Sequence, residues 1–426
     1  MNSLLKSMMA GLLAISFACS QNKTEEKSNQ SINKKEVTAK DILGNSNYLA
    51  MSYGGYRVKS RDVQPTIVQI KEDMKILSAI GVKILRTYNV QLAQASNILK
   101  AIKELKAKDP NFEMYVMLGA WIDCKNAWTD QAPDHNVESE QNADEIARAV
   151  ALANQYPDIV KIIAVGNEAM VKWAESYYVQ PEVILKWVNH LQSLKQSKQL
   201  PKDLWITSSD DFASWGGGDS LYHTEELAQL VKAVDYISMH TYAYHNTHYN
   251  PQFWHSTLEE DNLSDIEKVN AAMLRAMKFA MVQYDSVSNY MKSLGVNKPI
   301  HIGETGWATV SDGLYGPDGS RATDEYKQGL YYKHMRDWTN SSRISCFYFE
   351  AFDEQWKDAA NPTGSENHFG LFDLEGQAKF ALWDKVDQGV FDKLTRDGNA
   401  IGKSHQGDRV ALMSEVNAPP VPVHNH

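Results

Sequence analysis

The chain has 426 residues, of which 43% are hydrophobic and 23% charged, a composition that suits a globular protein with a large core and excludes an intrinsically disordered one. Its formal net charge of -10 at pH 7 argues against nucleic acid as a partner, because phosphate binding needs a basic surface.

The N-terminus is typical of a secretory signal, because a positively charged start precedes an apolar run too short to span a bilayer as a mature helix. The run ends in Ser16-Phe17-Ala18-Cys19, which resembles a bacterial lipoprotein cleavage box, although Ser16 stands where leucine is more usual. We expect residues 1–18 to be removed, Cys19 to carry lipid and the polar residues 19–40 to form a tether. A plain signal peptide cleaved nearby is the alternative. The expected location is a bacterial outer membrane, at the cell surface or in the periplasm.

Apolar strand patterns alternate with amphipathic helical patterns between residues 41 and 395. Strands are predicted at residues 48–53, 82–88, 113–120, 158–168, 204–208, 234–242, 300–304 and 344–350. Helices are predicted between them at residues 65–80, 93–108, 139–156, 181–198, 265–294 and 323–339. This alternation predicts an α/β fold, a (β/α)8 or TIM barrel forming a single domain over residues 41–395. Residues 396–426 are predicted to be a C-terminal tail, either loose or wrapped on the barrel as an arm.

Two of the predicted strands end on a glutamate. Glu168 follows Asn167 at the end of the fourth strand, and Glu304 precedes Thr305-Gly306-Trp307 at the end of the seventh. In such a barrel the carboxyl ends of all strands meet on one face, where catalytic groups come from several strands. Two carboxylates that face each other there can split a glycosidic bond, one as acid and base and the other as nucleophile. A polar strand end that simply meets solvent is the alternative for either residue alone.

These two motifs, together with Phe-Glu-Ala-Phe-Asp-Glu-Gln-Trp-Lys at residues 349–357, resemble glycoside hydrolase family 17 over about residues 48–383. That family contains retaining β-1,3-glucanases and glucanosyltransferases. The resemblance implies that Glu168 is the acid/base, that Glu304 is the nucleophile and that Asn167 binds the 2-hydroxyl of the sugar being cleaved. The implied function is hydrolysis of β-1,3-glucan inside the chain, with transfer to a second sugar as the alternative.

Further residues at predicted strand ends are expected to bind substrate or to support the two carboxylates. Arg86 resembles the family's arginine near the nucleophile, whose charge would keep Glu304 ionised, and a structural ion pair is the alternative. Tyr242 matches a tyrosine whose hydroxyl bonds the nucleophile. Sugar contacts are expected from Tyr53, His240, Trp307, Glu350 and Trp356. The aromatic residues could instead be half-buried, and Glu350 could instead pair with Arg86 or a lysine.

The histidine-rich segment 240–248 lacks a recognised zinc spacing and a nearby carboxylate ligand, so we expect no catalytic metal and no cofactor. Cys124 and Cys346 are expected to be buried without pairing. The expected partners are a β-1,3-glucan and, through the lipid, a membrane, with the chain a monomer. A glycan-binding surface lipoprotein without activity is the second class of function, but such a protein would have no reason to retain both glutamates.

Overall fold

The computed structural model describes residues 36–422. Contacts divide the chain into Met1–Glu36 and Val37–His426, and the described structure belongs to the second unit apart from Glu36. The predicted signal, the predicted lipid at Cys19 and most of the predicted tether therefore lie outside the described residues. Between residues 36 and 422 there is no helix with the length and hydropathy needed to cross a membrane.

Eight parallel strands close into a barrel, and each strand pairs with the strands before and after it in the chain. The first strand pairs with the last and so closes the ring. This arrangement confirms the predicted (β/α)8 barrel. The strands are Leu49–Ser52 (β1), Val82–Arg86 (β2), Tyr115–Ala120 (β3), Val160–Asn167 (β4), Trp205–Asp211 (β5), Ile237–His240 (β6), Ile300–Gly306 (β7) and Cys346–Phe349 (β8).

Helices follow the strands and cover the outside of the barrel. An apolar stripe faces the strands, as in the third helix, where Ile98, Leu99 and Ile102 recur at helical spacing and are fully buried. The longest helix begins at a capping box, which Ser264 and Glu267 form. The helices are Ala39–Ile42 (α1), Ile67–Ala79 (α2), Ala93–Lys108 (α3), Gln141–Gln155 (α4), Pro181–Gln196 (α5), Glu225–Ala233 (α6), Ala243–Tyr249 (α7), Asp265–Ser293 (α8), Glu325–Ser341 (α9), Trp383–Asp387 (α10) and Arg409–Ser414 (α11).

The structure departs from the prediction mainly at the domain's N-terminal edge and in the loops. Helix α1 begins at Ala39, inside the stretch expected to be tether, and Ala39 joins Ile42 and Leu43 in a buried cluster with strand residues such as Ile84 and Met117. Apolar burial therefore brings these residues into the folded domain. Neither α6 nor α7 was predicted; α7 lies between the strand and the helix predicted at residues 234–242 and 265–294. Cys124 and Cys346 are both free and buried.

The described part of the C-terminal segment packs on the barrel as an arm. Its first residues form a two-stranded hairpin, Thr395–Arg396 with Asn399–Ala400. Arg396 is fully buried, and its Nε donates to Asp73 Oδ1 of α2 at 3.2 Å. Near the far end, the Ser256 N–H donates to the Pro420 carbonyl at 3.0 Å. Of the two alternatives for residues 396–426, the loose tail is therefore wrong for the described part.

The arm's attachment predicts a measurable stability effect at Asp73. Its carboxylate accepts hydrogen bonds from Tyr53, Arg57 and Arg396, and Asp73→Ala would leave two arginine charges without their buried partner. We expect the free energy of unfolding to fall by about 3–5 kcal/mol. Denaturant titration measures this. The control is Lys333→Ala, which breaks the ion pair with Asp337, whose two side chains are 67% and 62% exposed. This variant should lower the free energy of unfolding by less than about 1 kcal/mol. An equal effect of the two variants would contradict the prediction.

Candidate active site

Glu304 lies in β7 and is almost completely buried, with 7% of its surface exposed. Three donors surround its carboxylate. Tyr242 Oη donates to Oε1 at 2.7 Å, Tyr88 Oη donates to Oε2 at 2.8 Å, and Arg86 forms an ion pair with Oε2. All three donors come from the carboxyl ends of β2 and β6, so the barrel itself places them around one side chain.

The donors keep Glu304 ionised. Burial by itself raises the pKa of a carboxyl group, but here the charge of Arg86 and the hydrogen bonds from Tyr242 and Tyr88 outweigh it, so the pKa of Glu304 lies below its ordinary 4.5. Burial and the negative charge of Glu304 raise the pKa of both tyrosines well above 10. The tyrosine hydroxyls therefore remain protonated and able to donate, and Glu304 has the charge that a nucleophile needs.

Glu168 follows directly after β4 with a positive φ of 47°, in the left-handed region that few non-glycine residues adopt. Its N–H donates to the Ser209 carbonyl at 3.0 Å, and its Oε1 lies 3.0 Å from His240 Nδ1. The other ring nitrogen of His240 lies 2.8 Å from Ser209 Oγ. Backbone and side chain of Glu168 are thus both held in place, while 18% of its side chain remains exposed.

The environment of Glu168 favours the protonated form. Burial, and then the negative charge of Glu304, raise the pKa of Glu168 to about 8 against the opposing charge of Arg86. Burial and the charge of Arg86 lower the pKa of His240 to about 4, so the imidazole is neutral at pH 7. The two glutamates therefore differ in protonation at neutral pH, as a general acid and a nucleophile must.

The spacing of the two carboxylates agrees with this division of roles. An oxygen of Glu168 and an oxygen of Glu304 lie within 4.8 Å of one another. Retaining glycosidases hold their carboxyl groups about 5–5.5 Å apart, whereas inverting enzymes need about 6.5–9.5 Å to admit a water. Together with His240 Nδ1 these oxygens could in geometric terms hold a metal ion, but the guanidinium of Arg86 already contacts Glu304 and would repel a cation.

Arg86 also orients Asn167. Its Nη2 donates to Asn167 Oδ1, while Nη1 donates to the Gly303 carbonyl at 2.9 Å. With its amide oxygen engaged, Asn167 retains its NH2 group for a ligand, and the residue lines the cleft beside Glu304. Arg86 therefore lies at the site itself, where it contacts both the predicted nucleophile and the predicted sugar-binding amide.

An open cleft of about 740 Å3 runs across this face of the barrel. One wall carries three aromatic rings: Trp128 stacks on Tyr177 with ring centres 5.0 Å apart, and Trp121 lies 5.3 Å from Tyr177. Trp128 is 63% exposed. Tyr56, Arg61 and Trp356 also line the cleft, and we call these three residues the end wall. The exposed face of Trp128 and the partly exposed ring of Trp356 suit the C–H faces of sugar rings.

Tyr53 and Trp307 were predicted to bind sugar, and the structure contradicts both predictions. Tyr53 is fully buried behind the barrel strand, and its hydroxyl donates to Asp73 Oδ2 at 2.8 Å. Trp307 is also fully buried, with its indole N–H donating to the Ala322 carbonyl at 2.8 Å and its ring 5.6 Å from Trp254. Both rings turn toward loops and helices that cover the barrel, so neither reaches the cleft.

His240 and Glu350 have different roles from those predicted, whereas Trp356 lies where expected. His240 is fully buried and contacts Glu168, so it positions the Glu168 carboxyl group rather than a sugar. Glu350 is 1% exposed and pairs with Lys357, which is the lysine alternative left open by the sequence. Trp356 lines the cleft, and its indole N–H donates to Glu354 Oε2 at 2.9 Å.

Several cleft residues were missed by sequence reasoning. Tyr88 was identifiable, because it follows Arg86 by two positions at the end of β2 and therefore shares its face. Glu354 and Lys357 belong to the motif at residues 349–357, but no role was assigned to them. Glu366 and Tyr177 lie in long loops and carry no local signal of their own. These residues are brought to the cleft by loop conformation alone.

Comparison with known proteins identifies the family. Residues 50–370 match the BtgE/BtgC glycoside hydrolase domain family. A Glucan 1,3-beta-glucosidase of Arthroderma benhamiae is 27% identical over 329 residues, which cover 75% of this chain and 85% of that protein. The btgC protein of Aspergillus niger is 23% identical over 320 residues, 72% of this chain, but this chain spans only 39% of that protein's length.

Two solved structures illustrate the similarity to known folds. An endo-laminarinase from Formosa Hel1_33_131 is 66% identical with a TM-score of 0.90, covering 92% of this chain and all of that one. A glycoside hydrolase family 17 beta-1,3-glucanosyltransferase from Rhizomucor miehei is 18% identical with a TM-score of 0.54, over 79% of this chain and 97% of that one, and shows a shared fold. With the family match extending over residues 50–370, the chain belongs to the BtgE/BtgC glycoside hydrolase domain family, which confirms the resemblance found in its sequence.

Proposed function

We propose that the protein hydrolyses β-1,3-glucan within the chain, with Glu304 as nucleophile and Glu168 as acid and base. The observation that carries this proposal is the pair of carboxylate oxygens within 4.8 Å whose surroundings shift their pKa values in opposite directions. The endo-laminarinase at 66% identity and the Glucan 1,3-beta-glucosidase relative support the choice of substrate.

In the first step, a carboxylate oxygen of Glu304 bonds to the anomeric carbon as the glycosidic C–O bond breaks. The proton of Glu168 moves to the departing oxygen, so the leaving sugar is released as an alcohol and Glu168 becomes a carboxylate. Asn167 lies beside both groups and can donate its NH2 hydrogens to the 2-hydroxyl of the sugar at this stage.

In the second step, water enters where the leaving sugar was. The Glu168 carboxylate takes a proton from water while the water oxygen bonds to the anomeric carbon, and the ester bond to Glu304 breaks. Both glutamates return to their starting protonation, and the product keeps the β configuration. A glucanosyltransferase would follow the same steps with a sugar hydroxyl in place of water. Products longer than the substrate would therefore reveal transfer.

The shape of the cleft supports cleavage inside chains. It is open to solvent, and its lining includes Glu304 together with the aromatic rings of Trp121, Trp128 and Trp356. Its volume of about 740 Å3 leaves room for several sugar units around Glu304, as cleavage inside a chain requires. A glycan-binding protein without activity would gain nothing from two glutamates with opposed pKa shifts.

For its location, we propose that the enzyme is anchored in a membrane by lipid at Cys19, as the cleavage-box sequence favours. Cys19→Ser should abolish incorporation of labelled palmitate and move the expressed protein from the membrane to the soluble fraction. Ser16→Leu, which brings the sequence closer to the usual box, should remain lipidated. Equal labelling of the wild type and Cys19→Ser would refute the anchor.

The glutamates can be tested by single substitutions. Glu304→Gln should leave no short glucose oligomers after incubation with laminarin, because an amide cannot form the glycosyl ester. Glu168→Gln should lower kcat/KM by about 100- to 10,000-fold through loss of general acid catalysis. Glu104→Gln, a surface change on α3, serves as the control and should be fully active. Near-normal activity of Glu304→Gln would overturn the assignment.

The pKa shifts predict a bell-shaped pH profile. Glu304 must be ionised, and its pKa lies below 4.5, so kcat/KM should fall as the pH drops through the acidic range. Glu168 must be protonated, and its pKa is about 8, so kcat/KM should fall as the pH rises through about 8. Initial rates with a soluble β-1,3-glucan measure both limbs. A rate that keeps rising well above pH 8 would contradict the role of Glu168.

A further inference from the structure

The family match ends at residue 370, whereas the described chain continues to residue 422. We call residues 371–422 the C-terminal strap. Part of it crosses α2, and part reaches the loop before α8 through the Ser256 to Pro420 hydrogen bond. The strap therefore follows the matched domain and contacts the barrel at distant points.

The strap meets the barrel at Asp73, a fully buried carboxylate on α2. Its two oxygens accept hydrogen bonds from Tyr53 Oη at 2.8 Å, from Arg57 Nη1 and Nη2 at 2.6 and 2.9 Å, and from Arg396 Nε at 3.2 Å. Arg396 belongs to the strap and also lies 4.1 Å above the ring of Phe352. A single carboxylate thus joins the end of β1, the loop after it and the strap.

A second strap residue, Asp397, holds the same loop from outside. Its Oδ2 accepts a hydrogen bond from Arg57 Nε at 2.8 Å, its Oδ1 accepts one from Gln69 Nε2 at 3.0 Å, and its N–H donates to Glu72 Oε2 at 2.9 Å. The guanidinium of Arg57 therefore forms two ion pairs, one with the buried Asp73 and one with Asp397 of the strap.

Arg57 connects the strap to the end wall through its neighbours in the loop after β1. Its Nη1 also donates to the Gly55 carbonyl at 2.8 Å, and its chain neighbour Tyr56 lines the cleft. The Tyr56 ring meets Trp356 edge-on at 5.8 Å, and the guanidinium of Arg61, from the same loop, lies 4.4 Å above the Trp356 ring. The position of the loop thus determines the shape of the end wall.

We propose that the C-terminal strap is a specificity element, in which Asp397 and Arg396 fix the loop after β1 and so shape the end wall that binds the distal sugars of a long β-1,3-glucan. This inference rests on the proposed function for its substrate. The strap residues are positioning residues, because none of them touches the reacting atoms, and substrates too short to reach the end wall should not respond to them.

The test is Asp397→Ala, which removes the strap's acceptor for Arg57 and Gln69 at a partly exposed position. KM for a long β-1,3-linked glucose oligomer should rise about three- to tenfold, kcat should stay within about twofold, and the distribution of cleaved bonds should shift. Asp397→Asn, which keeps an acceptor oxygen, should restore part of the effect. Asp387→Ala is the matched control, because it breaks the strap's exposed ion pair with Lys403 and leaves the loop contacts intact.

A binding measurement tests the role of the strap independently of the proposed hydrolase function. A β-1,3-linked glucose hexamer is titrated into the inactive variant Glu304→Gln and into the double variant Glu304→Gln with Asp397→Ala. The double variant should bind the hexamer three- to tenfold more weakly, and this result does not depend on whether the wild type cleaves the substrate. Absence of cleavage by the wild type would refute the hydrolase alone. Equal affinity and equal cleavage patterns for Asp397→Ala and Asp387→Ala would overturn the strap's role, as would a uniform loss of kcat and thermal stability.

Discussion

The active site depends on one buried ion pair, between Arg86 and Glu304. Placing two charges in a barrel interior costs desolvation energy that their attraction only partly recovers, so stability alone gives little reason for such a pair. Its effect on the reaction is direct. The arginine keeps Glu304 ionised, and the retained negative charge, together with burial, keeps the proton on Glu168. The same guanidinium orients Asn167. One cation at the end of β2 therefore keeps Glu304 charged, while burial and the charge of Glu304 keep Glu168 protonated against the opposing charge of Arg86.

The barrel makes this arrangement possible because residues far apart in the chain end on one face. Arg86, Glu168 and Glu304 come from the carboxyl ends of β2, β4 and β7, and the closure of the strands sets their separation. Around these strand ends, the loops form the lining of the cleft that contacts the substrate. The lining of the cleft includes the aromatic rings of Trp121 and Trp128 and also the loop after β1 with Trp356. The chemistry is thus fixed by strands, and the shape of the cleft is fixed by loops and by the strap that holds one of them.

The sequence predicted the parts of this structure that have local signals. The alternation of strands and helices gave the barrel, and the motifs around Glu168 and Glu304 identified the pair. It failed where orientation depends on distant partners. Tyr53 was expected in the cleft, but its ring direction is set by Asp73 on the following helix, and that of Trp307 by a carbonyl in a later loop. The contact between Arg396 and Asp73 joins residues 323 positions apart, which no local pattern reveals.

The central claim is that the reaction proceeds through a glycosyl ester on Glu304 and therefore retains configuration. Proton NMR of the first products, recorded before mutarotation equilibrates the anomers, tests this most directly. With a soluble β-1,3-glucan as substrate, the account predicts that the β-anomer of the new reducing end appears first and that the α-anomer grows in later. Initial formation of the α-anomer would show a single displacement by water and would contradict the roles assigned to both glutamates.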